Sequence, residues 1–177
     1  MNVYWFGLAF MWNALHPIVL PALLLRLVPE ALKNTYLGGL TFAGLVLAMV
    51  VQPLAGGLSD STRSRWGRRR PWIIFAQASL VTSASALIFV PDVSGDLELL
   101  RWLVFLCNVF ASLQDVAVDA LAVDLLAEHE RGFANGLMYG GSYLGVMFGG
   151  AILSTLVGAY GLGTALAGQV IALGAIM

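Results

Sequence analysis

The stretch YLGGLTFAGLVLAMVVQPLAGGLSDSTRSRWGRRRP, residues 36–71, decides the architecture of this chain. It opens on an apolar run from Tyr36 to Leu58. As a helix, such a run crosses the roughly 30 Å hydrocarbon core of a bilayer, which takes about 20 residues. The sequence then turns basic, with Arg63, Arg65, Arg68, Arg69 and Arg70 crowded before Pro71, where a second apolar run begins. Two apolar runs joined by a short arginine-rich loop read as two membrane helices meeting on the cytoplasmic side.

Outward from this loop, the same reading gives six spans, at about 3–28, 36–58, 71–90, 99–126, 133–157 and 161–177. Arg26 and Lys33 lie in the first connection, Arg101 in the third and Arg131 in the fourth. The excess of arginine on one side predicts that both ends of the chain face the cytoplasm. Lipid offers no partners to exposed backbone groups, so the spans must be helices. The expected fold class is therefore all-α, a polytopic bundle of six transmembrane helices.

Composition agrees. The 177 residues are 59% hydrophobic and 11% charged, with a mean hydropathy of +0.86. A soluble domain carries about a quarter charged residues, and one this small still exposes much of its surface. The apolar side chains must face lipid. A net charge of −1 leaves no basic footprint for nucleic acid. The single cysteine, Cys107, excludes an internal disulfide and a cysteine metal cluster, and no metal site is expected. The N-terminus lacks the basic region and cleavage site of a signal peptide. The last run is still apolar at Met177, so the expectation is a chain cut short of further spans.

Polar residues inside the spans are the candidates for chemistry. Asn108, Ser112, Asp115 and Asp119 follow spacings of four, three and four, which puts them in one stripe of a 3.6-residue helix. A charge at mid-bilayer costs at least about 2.5–3.5 kcal/mol. Two on one face must look into a cavity or at a partner. A protonatable pair suits proton or cation coupling, and a purely structural polar network is the alternative. Asp124 lies on the opposite face near the cytoplasmic end, where it would meet the Arg68–Arg70 run.

In the first span, Asn13 and His16 share a face, and Pro17 and Pro21 each remove a backbone hydrogen bond. Broken helices at membrane depth often carry binding sites. His16 would bind solute or relay protons, or simply bond a neighbour. Gly132, Gly136 and Gly140 repeat every four residues in the fifth span, and Gly141, Gly145 and Gly149 do so on a nearby face. Such spacing allows close helix contact. Asn135, Tyr139 and Ser142 share one face and would line a polar cavity, with Tyr143 beside it.

The segment Gly56-Gly-Leu-Ser-Asp60, followed by Gly67 and Arg68-Arg69-Arg70-Pro71, resembles the signature loop between helices two and three of the major facilitator superfamily. The gap from Asp60 to Gly67 is longer than in that signature. The long form resembles the sugar–cation (glycoside-pentoside-hexuronide) symporters and the sucrose transporters. The stretch Gln114-Asp115-Val-Ala-Val-Asp119, with the turn ending Glu130-Arg131-Gly132, resembles the muropeptide permease and acetyl-coenzyme A transporter branch of the same superfamily. Gly136, Gly145 and Gly149 partly match the helix-five antiporter motif, but Gly150 stands where that motif wants proline, so antiport is not expected.

The resemblance implies an N-terminal half-transporter built as two inverted three-helix repeats. It implies a cytoplasmic gate formed by Gly56, Asp60, Arg65, Gly67, Arg68 and Arg69, to which Asp124, Glu130 and Arg131 add the facing helix ends. The expected function is proton- or cation-coupled symport of a sugar-like or muropeptide-like solute by alternating access. Asp115 and Asp119 would couple, and Asn13, His16, Asn108, Ser112, Asn135 and Tyr139 would line the solute cavity. No cofactor is expected beyond an ion gradient, and the partners are the lipid bilayer, the solute and a C-terminal six-helix half. The location expected is the cell (plasma or inner) membrane.

Other classes fit less well. An intramembrane aspartyl protease places its two aspartates on different helices, one in a Gly-x-Gly-Asp setting, which is absent. No Gly-x4-Gly-Lys-Ser/Thr nucleotide loop appears. A channel or a non-transporting bundle explains the glycines but not the arginine loop.

Overall fold

The computed structural model describes residues 2–89 and 97–175, and among them the chain is helical throughout apart from short turns. The first span is α1 (Asn2–Ala14), a π-helical turn (Leu15–Val19) and α2 (Leu20–Leu27). The others are α3 (Glu30–Ser61), α4 (Arg70–Ala86) with a 3-10 turn at Leu87–Phe89, α5 (Leu97–Leu125), α6 (Glu128–Tyr160) and α7 (Leu162–Gly174). The ends expected at Val90 and Met177 lie outside the described residues. The first span, α3, α5 and α6 are each long and apolar enough to cross a membrane; α4 and α7 are shorter.

Several helices outrun the apolar segments that announced them. α3 begins at Glu30, directly after Pro29, and α6 begins at Glu128. The apolar run marks the part inside lipid, whereas the helix continues into water while its end is capped. At the start of α6 the Ala127 N–H donates to the Glu130 carboxylate at 3.2 Å. That carboxylate also complements the positive helix N-terminus. Pro71 sits in the first turn of α4, where its missing N–H costs nothing. The first span is not broken: it runs on as one helix, and Pro17 is accommodated by the π-helical turn in which it lies. Pro53 is accommodated inside α3.

Packing follows an exchange of the first three spans with the last three. α1 lies along α6, as α5 lies along α3; α4 packs on α5, as α7 packs on α1; and α4 meets α7. This exchange is the one that two three-helix repeats would give, except that α6 also packs on α7 while α3 and α4 scarcely touch. Leu15, Leu24, Leu80, Leu100, Leu153 and Leu166 fill the core between them.

Buried amides tie the same pairs together. Gln114 donates to the Gln77 side-chain oxygen, and Gln77 donates to the Leu173 carbonyl at 2.8 Å. Gln169 donates to the Met11 carbonyl, also at 2.8 Å. These glutamines are at most 4% exposed. A buried amide without a partner costs several kcal/mol in an apolar medium, so the bonds hold the rotation of α4, α5, α7 and α1 against one another.

Candidate functional site

Two polar regions stand out, one midway along the bundle and one at its arginine-rich end. The first is a cavity of about 500 Å³ between α1, α3 and α5, open on the side of α3, where Thr41, Leu45 and Gln52 are exposed. Asn13 and His16 reach it from the first span, and Asn108, Ser112 and Asp115 from α5. Thr41 and Gln52 of α3 complete its polar lining. The His16 ring leans on Trp12 with centroids 4.8 Å apart, which orients it at the start of the π-helical turn. Asn13 and Asn108 each donate to a carbonyl of their own helix, Ala9 at 3.1 Å and Val104 at 2.8 Å. The amide oxygens stay available to the cavity.

Asp115 differs from these. Its Oδ1 is buried with no hydrogen-bond partner among the described residues, and no cation pairs with it there. An acidic group placed in this way, at membrane depth and beside open space, is poised to take up a proton or to meet a cation or a hydroxyl.

The predicted wall is divided. Asp119, Asn135 and Tyr139 line a second, smaller pocket of about 150 Å³ with Met138 and Ser142. Trp5 belongs to both pockets and stands between them. The four-residue step from Asp115 to Asp119 rotates the side chain by about 40° and lifts it by about 6 Å. That is enough to pass from the α1–α3 side to the α6 side. Asp115 and Asp119, one turn apart on α5, therefore line two adjoining pockets. Among the described residues, no three His, Cys, Asp or Glu side chains come together as a metal site.

At the other end, Arg69 is the centre. It is 8% exposed, and it donates to Ser59, to the Asp60 carboxylate and to Asp124 at 3.4 Å. It thereby fastens the end of α3 and the start of α4 to the end of α5. Arg68 reaches Asp124 from the exposed side, also at 3.4 Å. Trp72 donates to Thr62 at 2.8 Å and closes the loop. Gly67 takes φ = 93°, a left-handed conformation that glycine adopts without strain. A Cβ on Gly56 would sit 3.8 Å from Val116, an ordinary α3–α5 contact.

The remaining predicted members stand apart from this clasp. Arg65 is exposed and meets no carboxylate among the described residues. Glu130 caps its own helix, and Arg131 donates to the Val123 carbonyl at 3.2 Å.

Sequence reasoning missed Ser59, Gln77 and Gln169, and gave Gln114 no role. A lone amide inside an otherwise apolar span is the signal that would have found the glutamines, because it must be bonded.

The chain is similar to the lactose permease of Lactobacillus helveticus, with 32% identity over 112 residues covering 56% of this chain and 17% of the permease. It is similar to the sodium-dependent lysophosphatidylcholine symporter 1 of Xenopus tropicalis, with 32% identity over 140 residues covering 77% of this chain and 24% of that one. It is also similar to the general alpha-glucoside permease of Schizosaccharomyces pombe, with 30% identity over 95 residues covering 51% and 17%. The chain thus spans about a fifth of the length of these relatives. No solved structure matches it significantly. The family model described as Major Facilitator Superfamily matches residues 2–177, and this multi-pass membrane chain belongs to that superfamily.

Proposed function

We propose that the chain is the N-terminal half of a secondary transporter that moves a sugar-like or muropeptide-like solute, coupled to a proton or other cation gradient. The observation that carries the proposal is Asp115, an acidic group with a buried, unpartnered oxygen beside an open cavity between membrane helices. Such a group is expensive to keep ionised in that setting, so its proton or counter-cation is the natural coupling currency. The relatives named permease and symporter support transport, and two of them carry sugar names. A C-terminal half would supply the opposite wall, and the two halves would rock about the cavity. Asp115 is the coupling residue, with Asp119 in the adjoining chamber as its relay. Asn13, His16, Asn108 and Ser112 hold the solute, and Asn135 and Tyr139 line its way past Asp119. The Arg69 clasp is the cytoplasmic gate, with both termini on the cytoplasmic side of the cell membrane.

The test is uptake of labelled lactose into proteoliposomes holding the complete protein, with and without an imposed pH gradient. Gradient-driven accumulation is expected for the natural protein, and Asp115→Asn should abolish it while leaving insertion and yield unchanged. Normal accumulation by that variant would refute the coupling role.

A further inference from the structure

A cleft of about 550 Å³ lies between the first turns of α3 and α5, next to the acidic cavity. Its charged groups lie at one end, Glu98 and Arg101, with Thr35 and Tyr36 beside them. The Arg101 guanidinium pairs with Glu98 and lies 5.4 Å from the centre of the Tyr36 ring. Deeper, the lining is small or apolar, with Leu40, Ala43, Val104 and Phe105.

Asn108 and Gly44 close the far end, and both also line the acidic cavity. A Cβ on Gly44 would lie 2.7 Å from Asn108 Oδ1, so the asparagine amide rests directly on the bare Gly44 backbone. From Glu98 to Asn108, α5 rises roughly 15 Å at 1.5 Å per residue. That is the depth of one leaflet of a hydrocarbon core roughly 30 Å thick.

We propose that this cleft holds one hydrocarbon chain of a zwitterionic bilayer phospholipid, and that Asn108 is the floor keeping hydrocarbon out of the acidic cavity. The polarity gradient matches a lipid standing in its leaflet, with the headgroup at the rim and the chain running towards the midplane. The rim offers one guanidinium and one carboxylate, which complement a phosphate and an amine better than a net anion. A planar guanidinium suits the phosphate in particular. The proposal needs only that the chain sits in a bilayer, and it stands or falls independently of solute transport.

The test uses two neighbouring glycines. Gly39 lines the cleft and Gly38 does not, and a Cβ on either meets nothing within 4 Å. Gly39→Phe therefore starts a bulky side chain in the cleft with its Cβ free of clashes, and Gly38→Phe is its matched control. The complete protein is released from nanodiscs of equal phosphatidylethanolamine and phosphatidylglycerol into a native mass spectrometer. The natural protein and Gly38→Phe should retain one phosphatidylethanolamine, and Gly39→Phe should lose it. Arg101→Gln should retain it about tenfold less well, the factor expected for one charged contact. Equal retention by all four proteins would mean ordinary boundary lipid and would overturn the site. Preferential retention of phosphatidylglycerol would overturn the headgroup assignment.

Discussion

At the scale of single residues, burial decides which arginine matters. Five arginines crowd residues 63–70, and a sequence cannot rank them. The fold buries Arg69 alone among them and gives it three acceptors on two other helix ends, Ser59, Asp60 and Asp124. Arg68 shares Asp124 but its side chain is 55% exposed. Exposed ion pairs are worth about 0–1 kcal/mol, whereas hydrogen bonds to charged groups with a buried partner are worth about 1.5–3 kcal/mol each. Arg69→Ala should therefore destabilise the chain by about 2–3 kcal/mol in thermal unfolding in mild detergent, and Arg68→Ala by less than about 1 kcal/mol. Arg69→Lys should restore little, because one ammonium cannot span three acceptors as a guanidinium fork does. Equal losses for Arg68→Ala and Arg69→Ala would remove the distinction.

At the scale of elements, the two glycine series that spacing distinguishes on α6 differ in what they meet. A Cβ on Gly149 would meet the Phe10 carbonyl oxygen at 2.7 Å, and one on Gly145 would meet Ala9 and the Phe10 nitrogen at 3.0 Å. These are the points where α1 and α6 touch backbone to backbone. Gly132, Gly136 and Gly140 meet nothing within 4 Å. Periodicity places small residues on a face but does not say which helix, if any, lies opposite. Gly149→Ala should cost about 1–3 kcal/mol, because a backbone oxygen cannot step aside. Gly140→Ala should be neutral or gain up to about 1 kcal/mol from helix propensity. Unfolding midpoints of the two variants side by side check this, and a loss for Gly140→Ala as large as for Gly149→Ala would sink it.

At the scale of the whole molecule, burial is uneven. None of the most apolar window of α3 is buried, and little of that of α6, whereas nearly half of those of the first span and α5 is. Phe42, Met49 and Leu54 on α3, and Tyr143, Met147 and Ile152 on α6, are exposed. In a half-transporter, such faces meet lipid or the second half. The arginine loop also sets an orientation that can be measured. A cysteine replacing exposed Ser64 should react with a membrane-impermeant thiol reagent only in opened cells, and one replacing exposed Asn34 should react in intact cells. Cys107 is fully buried and should stay silent in both. Labelling of the Ser64 position in intact cells would reverse the topology.

The medium and the helical character were legible in the sequence, because transfer into lipid depends on local composition and lipid tolerates no unbonded backbone. The irregularity near Pro17, a π-helical turn rather than a break, and the arginine-rich turn followed from local chemistry in the same way. Only the tertiary structure decided which polar groups meet. It drew Asn13, His16, Asn108, Ser112 and Asp115 into one cavity and sent Asp119 to another with Asn135 and Tyr139. It made Arg69 the clasp and left Arg65 outside. The physical reason is rotation: a four-residue step leaves a side chain turned by some 40° about the helix axis. Which neighbour it then faces is set by contacts such as Gln77 with Leu173, between residues far apart along the chain.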